Sequence, residues 1–392
     1  MSTAMSVGLR REAPRAVTLQ LDSVMLILIS AIVLLGLVMV TSASITMADQ
    51  ASGQPFAYLE RQFVLVVVGV AAAAAAFLIP IATLERRALP LLVVAGALLV
   101  LVLTPLGHSV NGSRRWLTLP GFYFQVSEAA RVLTLIYMAH YCVRFEEQLR
   151  NGPGAFVRGL ALLVALGGLM VVEPDLGAAT VMVITGFGLL FLAGAQLRWV
   201  FGATLGGALL MGTLVLTSGY RLRRLKTFLD PWADPFKDGF QLTQSLIAIG
   251  RGEWFGVGLG ASVQKLFYLP EAHNDFLFAV LAEELGLVGV LVTLALFLAL
   301  AWRALLLSRR AMATGMKFHS YLAAGFGLWL GVQAFVNIGV NMGVLPTKGL
   351  TLPLMSYGRS SLVVTLAWLG VVLRVHHEVA STRRASLRER RW

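Results

Sequence analysis

The sequence gathers ionisable side chains in one short run, Glu271–Ala272–His273–Asn274–Asp275, and then passes directly into the apolar stretch from Phe276 to Leu281. Charge at the lip of a membrane span is costly, and such positions carry function by default. A carboxylate beside basic groups suits a base that takes a proton from a hydroxyl while cations stabilise a departing phosphate. The bland alternative is that Asp275 only caps the following helix, a role Asn and Asp often fill. Spacing alone does not separate the two.

Three further polar stretches are expected to meet this one on the same side of the membrane. The first runs through Asn111–Gly112–Ser113–Arg114–Arg115–Trp116 to Gln125, Ser127, Glu128 and Arg131. Glu128 and Arg131 are three apart, so they share a helix face and can pair, either as a structural ion pair or at a substrate. The second is Glu173–Pro174–Asp175–Leu176–Gly177, where Pro and Gly break the helix and the two acids could cap or join helices. The third runs from Leu345 to Pro353 through Lys348, then from Ser356 to Ser361 through Arg359. Its density of Pro and Gly predicts a re-entrant or cavity-lining loop. Arg115, Arg131, Lys265, Lys348 and Arg359 are the candidate clamp for a pyrophosphate. Glu271 and His273 are expected to orient Asp275 or its loop.

Other chemistries lack their residues. The histidines at 108, 140, 273, 319, 376 and 377 do not fall at zinc-site spacing. There is no P-loop and no nucleophile elbow. Gly252, Gly256, Gly258 and Gly260 are turn glycines with no βαβ unit around them. The lone Cys142 allows no intrachain disulfide. A divalent cation, Mg²⁺ or Mn²⁺, could share the pyrophosphate, but no dedicated acidic cage is visible and no cofactor is assigned.

The elements that must position these groups are membrane helices. The 392 residues are 57% hydrophobic and 13% charged, against about 25% charged in soluble domains. The expected fold is all-α and polytopic, with about ten spans near 23–45, 62–80, 88–105, 126–142, 156–173, 178–195, 199–217, 276–306, 319–343 and 357–374. Residues 1–20 form a cytoplasmic arm, 21–375 the transmembrane domain, and 376–392 a basic cytoplasmic tail. The apolar run after Arg10, Arg11 and Arg15 is too long for a signal peptide and reads as an uncleaved first span. With both termini cytoplasmic, 19 of the 32 Lys and Arg lie inside. The net charge of +12 is met by that bias and by anionic lipid, not by nucleic acid. Seven of the remaining cations, Arg221, Arg223, Arg224, Lys226, Lys237, Arg251 and Lys265, cluster in a long 218–275 extracytoplasmic loop. That clustering points to a surface that gathers anionic groups. The loop is too long to lack structure, and 240–249 reads as a short interfacial helix. Ala71 to Ala76 gives one span a small-residue surface for close packing.

Three stretches carry a resemblance: FLDPWADPFKDGFQLTQSLIAIGRGEWFGVGLG at 228–260, YLPEAHNDFLFAVLAEELG at 268–286 and NMGVLPTKGLTLPLMSYG at 341–358. With them the chain, from about 20 to 375, resembles the SEDS family (shape, elongation, division and sporulation), and its division branch most closely. The resemblance implies a ten-span peptidoglycan glycosyltransferase that polymerises lipid II in the bacterial inner membrane at the division septum. It implies that Asp275 is catalytic and that Trp116, Arg131 and Lys348 matter to substrate. It also implies a class B penicillin-binding protein of the FtsI type as partner and FtsQ, FtsL and FtsB as regulators. A lipid II flippase or transporter, or a non-catalytic division scaffold, fits the same family. The chain departs from the family at Arg131, where Lys is usual, at Asn274, where Thr is usual, and at Arg359, where Gly is usual. An arginine at 359 argues that no tight glycine turn is needed there.

Overall fold

The computed structural model describes residues 19–110, 113–119, 122–237, 239–347 and 349–389, so residues 1–18 of the expected 1–20 arm, Asn111, Gly112, Lys348 and residues 390–392 of the expected basic tail lie outside the described residues. In chain order the elements are α1 (Ser23–Ser52), α2 (Ala57–Leu78), α3 (Ile81–Arg86), α4 (Ala88–Leu103), β1 (Gly107–Val110), β2 (Ser113–Leu119), β3 (Phe122–Gln125), α5 (Val126–Arg144), α6 (Glu146–Asn151), α7 (Pro153–Val172), α8 (Leu176–Leu192), α9 (Leu197–Leu216), α10 (Gly219–Leu229), α11 (Phe240–Gly252), α12 (Leu277–Ala313), α13 (Lys317–Asn341) and α14 (Arg359–Glu389). Each apolar segment of the sequence falls on a helix. Six of these, α1, α2, α7, α12, α13 and α14, are long and apolar enough to cross a membrane, and α4, α8 and α9 contain shorter apolar stretches. Helix α5 is more polar because it carries Glu128, Arg131 and Arg144.

Local chemistry sets the boundaries. Asp22 caps α1 by accepting the Met25 N–H at 3.1 Å, and Gly53 ends it in the left-handed region at φ 65°. Small residues let helices approach where the sequence supplies them. A Cβ built on Gly370 of α14 would lie 2.1 Å from the Ala73 carbonyl oxygen of α2, inside the alanine run. Trp329, Trp368 and Phe326 form a buried aromatic cluster between α13 and α14, with ring centroids 5.1–6.0 Å apart. At the far end of α12 from Asp275, the Arg303 guanidinium donates twice to the Asp22 carboxylate, at 2.8 and 3.1 Å, and ties α1 to α12.

Two regions differ from expectation. The stretch read as a loop around Arg115 is a three-stranded antiparallel sheet in the order β1-β2-β3, with Trp116 opposite both His108 and Gln125. Within 218–275, α11 does form over the predicted stretch. It packs along α12 with Leu242, Thr243, Ser245 and Ala248 buried, a protein contact beyond what the expected helix implied.

Candidate active site

The helix that follows Asp275, α12, is broken. Gly286 sits at φ 65°, ψ −164°, so the helix cannot bond continuously through 283–288. The freed groups are taken up by the preceding loop. The Val257 and Gly258 N–H groups donate to the carbonyls of Glu283 and Glu284, while the Leu287 and Val288 N–H groups donate to those of Glu253 and Trp254, at 2.9–3.2 Å. This backbone contact needs glycine: a Cβ on Gly256 would come within 2.1 Å of the Glu284 oxygen. Irregular backbone within a packed helical protein is tolerated where neighbouring groups satisfy it, as here. The Glu283 carboxylate adds Ser262 Oγ at 2.5 Å and the Val263 N–H at 3.1 Å. The loop is thus fixed to the helix that follows Asp275.

Asp275 is not the helix cap. The N-cap of α12 is Phe276, and it makes no side-chain capping bond. Two buried asparagines of α13 hold the Asp275 backbone instead: the side-chain amides of Asn337 and Asn341 both donate to its carbonyl at 3.0 Å. Asn337 also donates to the Leu350 carbonyl at 2.5 Å, and Asn341 Oδ1 accepts the Ala279 N–H at 3.2 Å. One turn earlier, Gln333 donates to the Thr351 carbonyl at 3.0 Å and accepts from Arg131 at 2.9 Å. Gln333, Asn337 and Asn341 lie four residues apart, so they form one polar ladder on an otherwise apolar helix. That spacing was the available signal for these residues, and reading charged groups alone passes over it.

The Asp275 side chain is half-buried and faces the 349–351 loop, with Oδ2 2.9 Å from where a Cβ on Gly349 would stand. Burial pushes its pKa from 3.8 up to about 7, Glu271 and Asp175 add to the rise, and Arg115 opposes it. Arg115 in β2 lies 4.0 Å from Asp175. Asp175 both caps α8, accepting the Ala178 N–H at 3.0 Å, and accepts from Ser127 at 2.7 Å and Gln125 at 3.0 Å. Glu173, fully buried beside this pair, has no hydrogen-bond partner for either oxygen, and burial raises its pKa to about 8.

The polar loops therefore do meet. The Tyr357 N–H donates to the His273 carbonyl at 3.1 Å, and Ser360 Oγ accepts the Gln125 N–H at 2.8 Å. Glu271, exposed at φ 56°, accepts the Asn274 and Phe276 N–H groups and turns the chain before Asp275. His273 is buried against the edges of Tyr58 and Tyr357, with ring centroids at 4.9 and 5.7 Å, and burial lowers its pKa, which keeps it neutral. The Arg115 guanidinium lies 5.8 Å from the Trp116 ring centre, and that of Arg359 lies 5.9 Å from Tyr357. Arg359 is the first residue of α14, a helical position with no need of glycine.

Other predicted residues are placed deeper. Arg131 and Glu128 pair directly within the protein, both buried, with the guanidinium 5.6 Å from the Trp329 ring centre. Lys265 is buried in a pair with Glu284 at 2.9 Å and with Ser42 at 3.0 Å, and Arg251 lies 3.4 Å from Glu283. Two of the seven cations counted in the 218–275 loop thus neutralise buried acids of α12 and are not free for an anionic surface. Among the described residues, no three His, Cys, Asp or Glu side chains gather as a metal site.

A polytopic helical membrane protein with a half-buried carboxylate under converging loops is the class that this fold and site define. The chain matches the FtsW/RodA/SpoVE family of cell cycle proteins over residues 22–381. It belongs to that family. It is 54% identical over 365 residues to a Thioalkalivibrio sulfidiphilus protein named "Probable peptidoglycan glycosyltransferase FtsW", covering 93% of this chain and 91% of the relative. A Halorhodospira halophila protein of the same name is 49% identical over 382 residues, covering 97% and 96%. Among solved structures, a chain from work on "Structural coordination of polymerization and crosslinking by a peptidoglycan synthase complex" is similar with TM-score 0.75 at 32% identity, covering 92% of this chain and 99% of that one. The Thermus thermophilus rod shape determining protein RodA is similar with TM-score 0.66 at 32% identity, covering 92% and 98%.

Proposed function

We propose that this chain is a peptidoglycan glycosyltransferase that polymerises lipid II during septal wall synthesis, with Asp275 as general base. The activity is the one named for its relatives at about half identity. Asp275 takes the proton from the 4-hydroxyl of an acceptor lipid II. That oxygen attacks the anomeric carbon of the growing strand, the glycosidic bond to pyrophosphate breaks with inversion, and undecaprenyl pyrophosphate leaves. The observation that carries this reading is the setting of Asp275: half-buried, held through its backbone carbonyl by Asn337 and Asn341, and with burial raising its pKa to about 7, where a base works best at neutral pH. Arg115 and Arg359 flank the loops and are the described cations proposed for the pyrophosphate, and Lys348, outside the described residues, keeps the role that the resemblance implies for it. A divalent cation on the pyrophosphate would take its ligands chiefly from the phosphate oxygens. Glu128 and Arg131 act as a buried brace that reaches the 349–351 loop through Gln333.

The partner is a class B penicillin-binding protein of the FtsI type, a reading supported by the synthase complex that contains a similar chain. FtsQ, FtsL and FtsB are the proposed regulators. Ten spans, cytoplasmic termini and a septal position in the inner membrane follow from the same reading. A lipid II flippase is the second reading, favoured by the broken helix α12, a device transporters also use. Detergent separates them, because polymerisation needs no compartments and flipping does. Asp275→Asn is expected to lower the rate of lipid II polymerisation by the purified chain and its partner about 10²–10⁴-fold, the usual worth of a general base. A variant that polymerises at the parental rate refutes the assignment.

A further inference from the structure

The sheet β1-β2-β3 has two unlike faces. Leu117 and Phe124, directly opposite each other in the register, pack inward against the cluster that includes Leu99 and Val126. Successive side chains of a strand alternate, so His108, Trp116, Thr118 and Tyr123 share the other face. On that face the rings of His108 and Tyr123 stack, with centroids 4.8 Å apart and planes 15° from parallel. Both side chains are exposed, Tyr123 by 39%, and so are Thr118 and Arg114 beside them. Aromatic rings contribute most when covered, and this pair is left open. The strand that carries Tyr123 runs straight into the active site. The Tyr123 carbonyl accepts from Ser360 Oγ at 3.3 Å, next to Arg359, and two residues further on Gln125 donates to Asp175 at 3.0 Å. Two residues of strand span about 7 Å, so the stacked rings begin close to the groups around Asp275 and lead away from them. Arg115, on the same strand as Thr118, lies 4.0 Å from Asp175.

We propose that the open face of this sheet is a subsite for the growing glycan strand, in which the His108–Tyr123 stack takes the apolar face of a sugar behind the reacting anomeric carbon. The inference rests on the polymerase reading and adds to it the path of the strand. A β-linked hexosamine keeps its ring substituents equatorial, which leaves C–H bonds directed from both faces. Those hydrogens carry partial positive charge and meet the negative face of an aromatic ring. The Arg114 guanidinium supplies donors for the hydroxyl and N-acetyl oxygens at the rim, and the Thr118 hydroxyl both donates and accepts. Stacking of this kind holds a strand without fixing it to one register, which suits an enzyme that must advance the same strand after each addition. The subsite therefore acts on how long a strand is retained more than on the bond-forming step.

The first measurement is saturation-transfer NMR of chitotetraose, a soluble β-linked tetramer of N-acetylglucosamine, with the full chain in phosphatidylglycerol nanodiscs, which avoid detergents with sugar heads. The parent chain should transfer saturation to the sugar ring protons. Tyr123→Phe keeps the ring and should bind as the parent does. Tyr123→Leu keeps an apolar side chain without the ring and should weaken binding about threefold to tenfold, the worth of a ring contact. His108→Ala should act in the same direction, and it decides the matter if Tyr123→Leu does not express. The second measurement is the length of glycan made from lipid II by the chain with its transpeptidase partner, where Tyr123→Leu should shorten the strands more than it slows initial consumption of lipid II. Absence of saturation transfer with the parent, equal losses in Tyr123→Phe and Tyr123→Leu, or parental binding and strand length in Tyr123→Leu and His108→Ala overturns the subsite. A chain that binds chitotetraose through Tyr123 yet makes no polymer sinks the polymerase reading and leaves a glycan site standing. A chain that polymerises lipid II but does not bind chitotetraose sinks the subsite alone.

Discussion

The charges around Asp275 make opposed predictions for two conservative substitutions. Its pKa, near 7 against 3.8 for a free side chain, corresponds to about 4 kcal/mol disfavouring the ionised form. Burial is the first cause, so no single neighbour accounts for most of it. Glu271 pushes the value up and Arg115 pulls it down. Glu271→Gln should therefore move the acid limb of the polymerisation rate to lower pH, and Arg115→Gln should move it to higher pH, each by about half a unit for a partly screened charge. If the base must be ionised, its active fraction at pH 6 is about 0.09 for a pKa of 7. It becomes about 0.24 at 6.5 and about 0.03 at 7.5, so the two variants should differ roughly eightfold at pH 6 and converge above pH 9. The assay is initial-rate lipid II polymerisation in detergent from pH 5 to 9, at saturating lipid II so that weaker binding by Arg115→Gln does not mimic a shift. Midpoints that move in the same direction, or stay at the parental value, refute the electrostatic account of the base.

Three further outcomes are expected. Glu173→Gln should keep polymerisation at pH 7, because the parent carboxyl is already protonated there. A folded pKa raised from 4.5 to about 8 lowers stability as pH climbs through that window, so the variant should melt above the parent at pH 9 and match it near pH 4. Gly349→Ala places a methyl 2.9 Å from Asp275 Oδ2 and should cut kcat by about 10²-fold through displacement of the base, with normal expression and melting temperature. Asn337→Ala leaves the Leu350 carbonyl without its side-chain donor and removes one of two donors from the Asp275 carbonyl. It should cost about 1–3 kcal/mol of stability by thermal melting and lower kcat more than it raises KM.

How much of this was legible depends on what each residue had to do. Hydropathy over windows of about 20 residues gives the helices, because burial in lipid or protein is written into side-chain type. The acidic run at 271–275 stood out for the same reason, since charge beside an apolar helix is rare. The helix-cap alternative could not be settled from spacing, because Asp275 and Phe276 are adjacent and only the backbone angles decide which one starts α12. The short sheet around Arg115 was hidden by its length: strands of four and seven residues carry little periodicity, and their pairing is set by distance along the chain rather than by composition.

The break at Gly286 is the hardest feature to read. A glycine inside an apolar run is ordinary in membrane helices. What makes this one a hinge point is a partner 30 residues away: a Cβ on Gly286 would meet the Gly256 nitrogen at 2.3 Å, and a Cβ on Gly252 would meet the Ala282 carbonyl oxygen at 1.9 Å. Three glycines from two segments must coincide before the backbones can touch, and no local window holds all three. The buried acids show the same logic. Glu283 and Glu284 look like membrane charges awaiting a substrate, yet one binds the loop through Ser262 and Arg251 and the other through Lys265. Charge in this chain therefore does two different jobs within ten residues. At 283–284 it is spent inward, holding a broken helix to its loop. At 275 it stays half-buried, with the backbone carbonyl gripped by the asparagine ladder of α13.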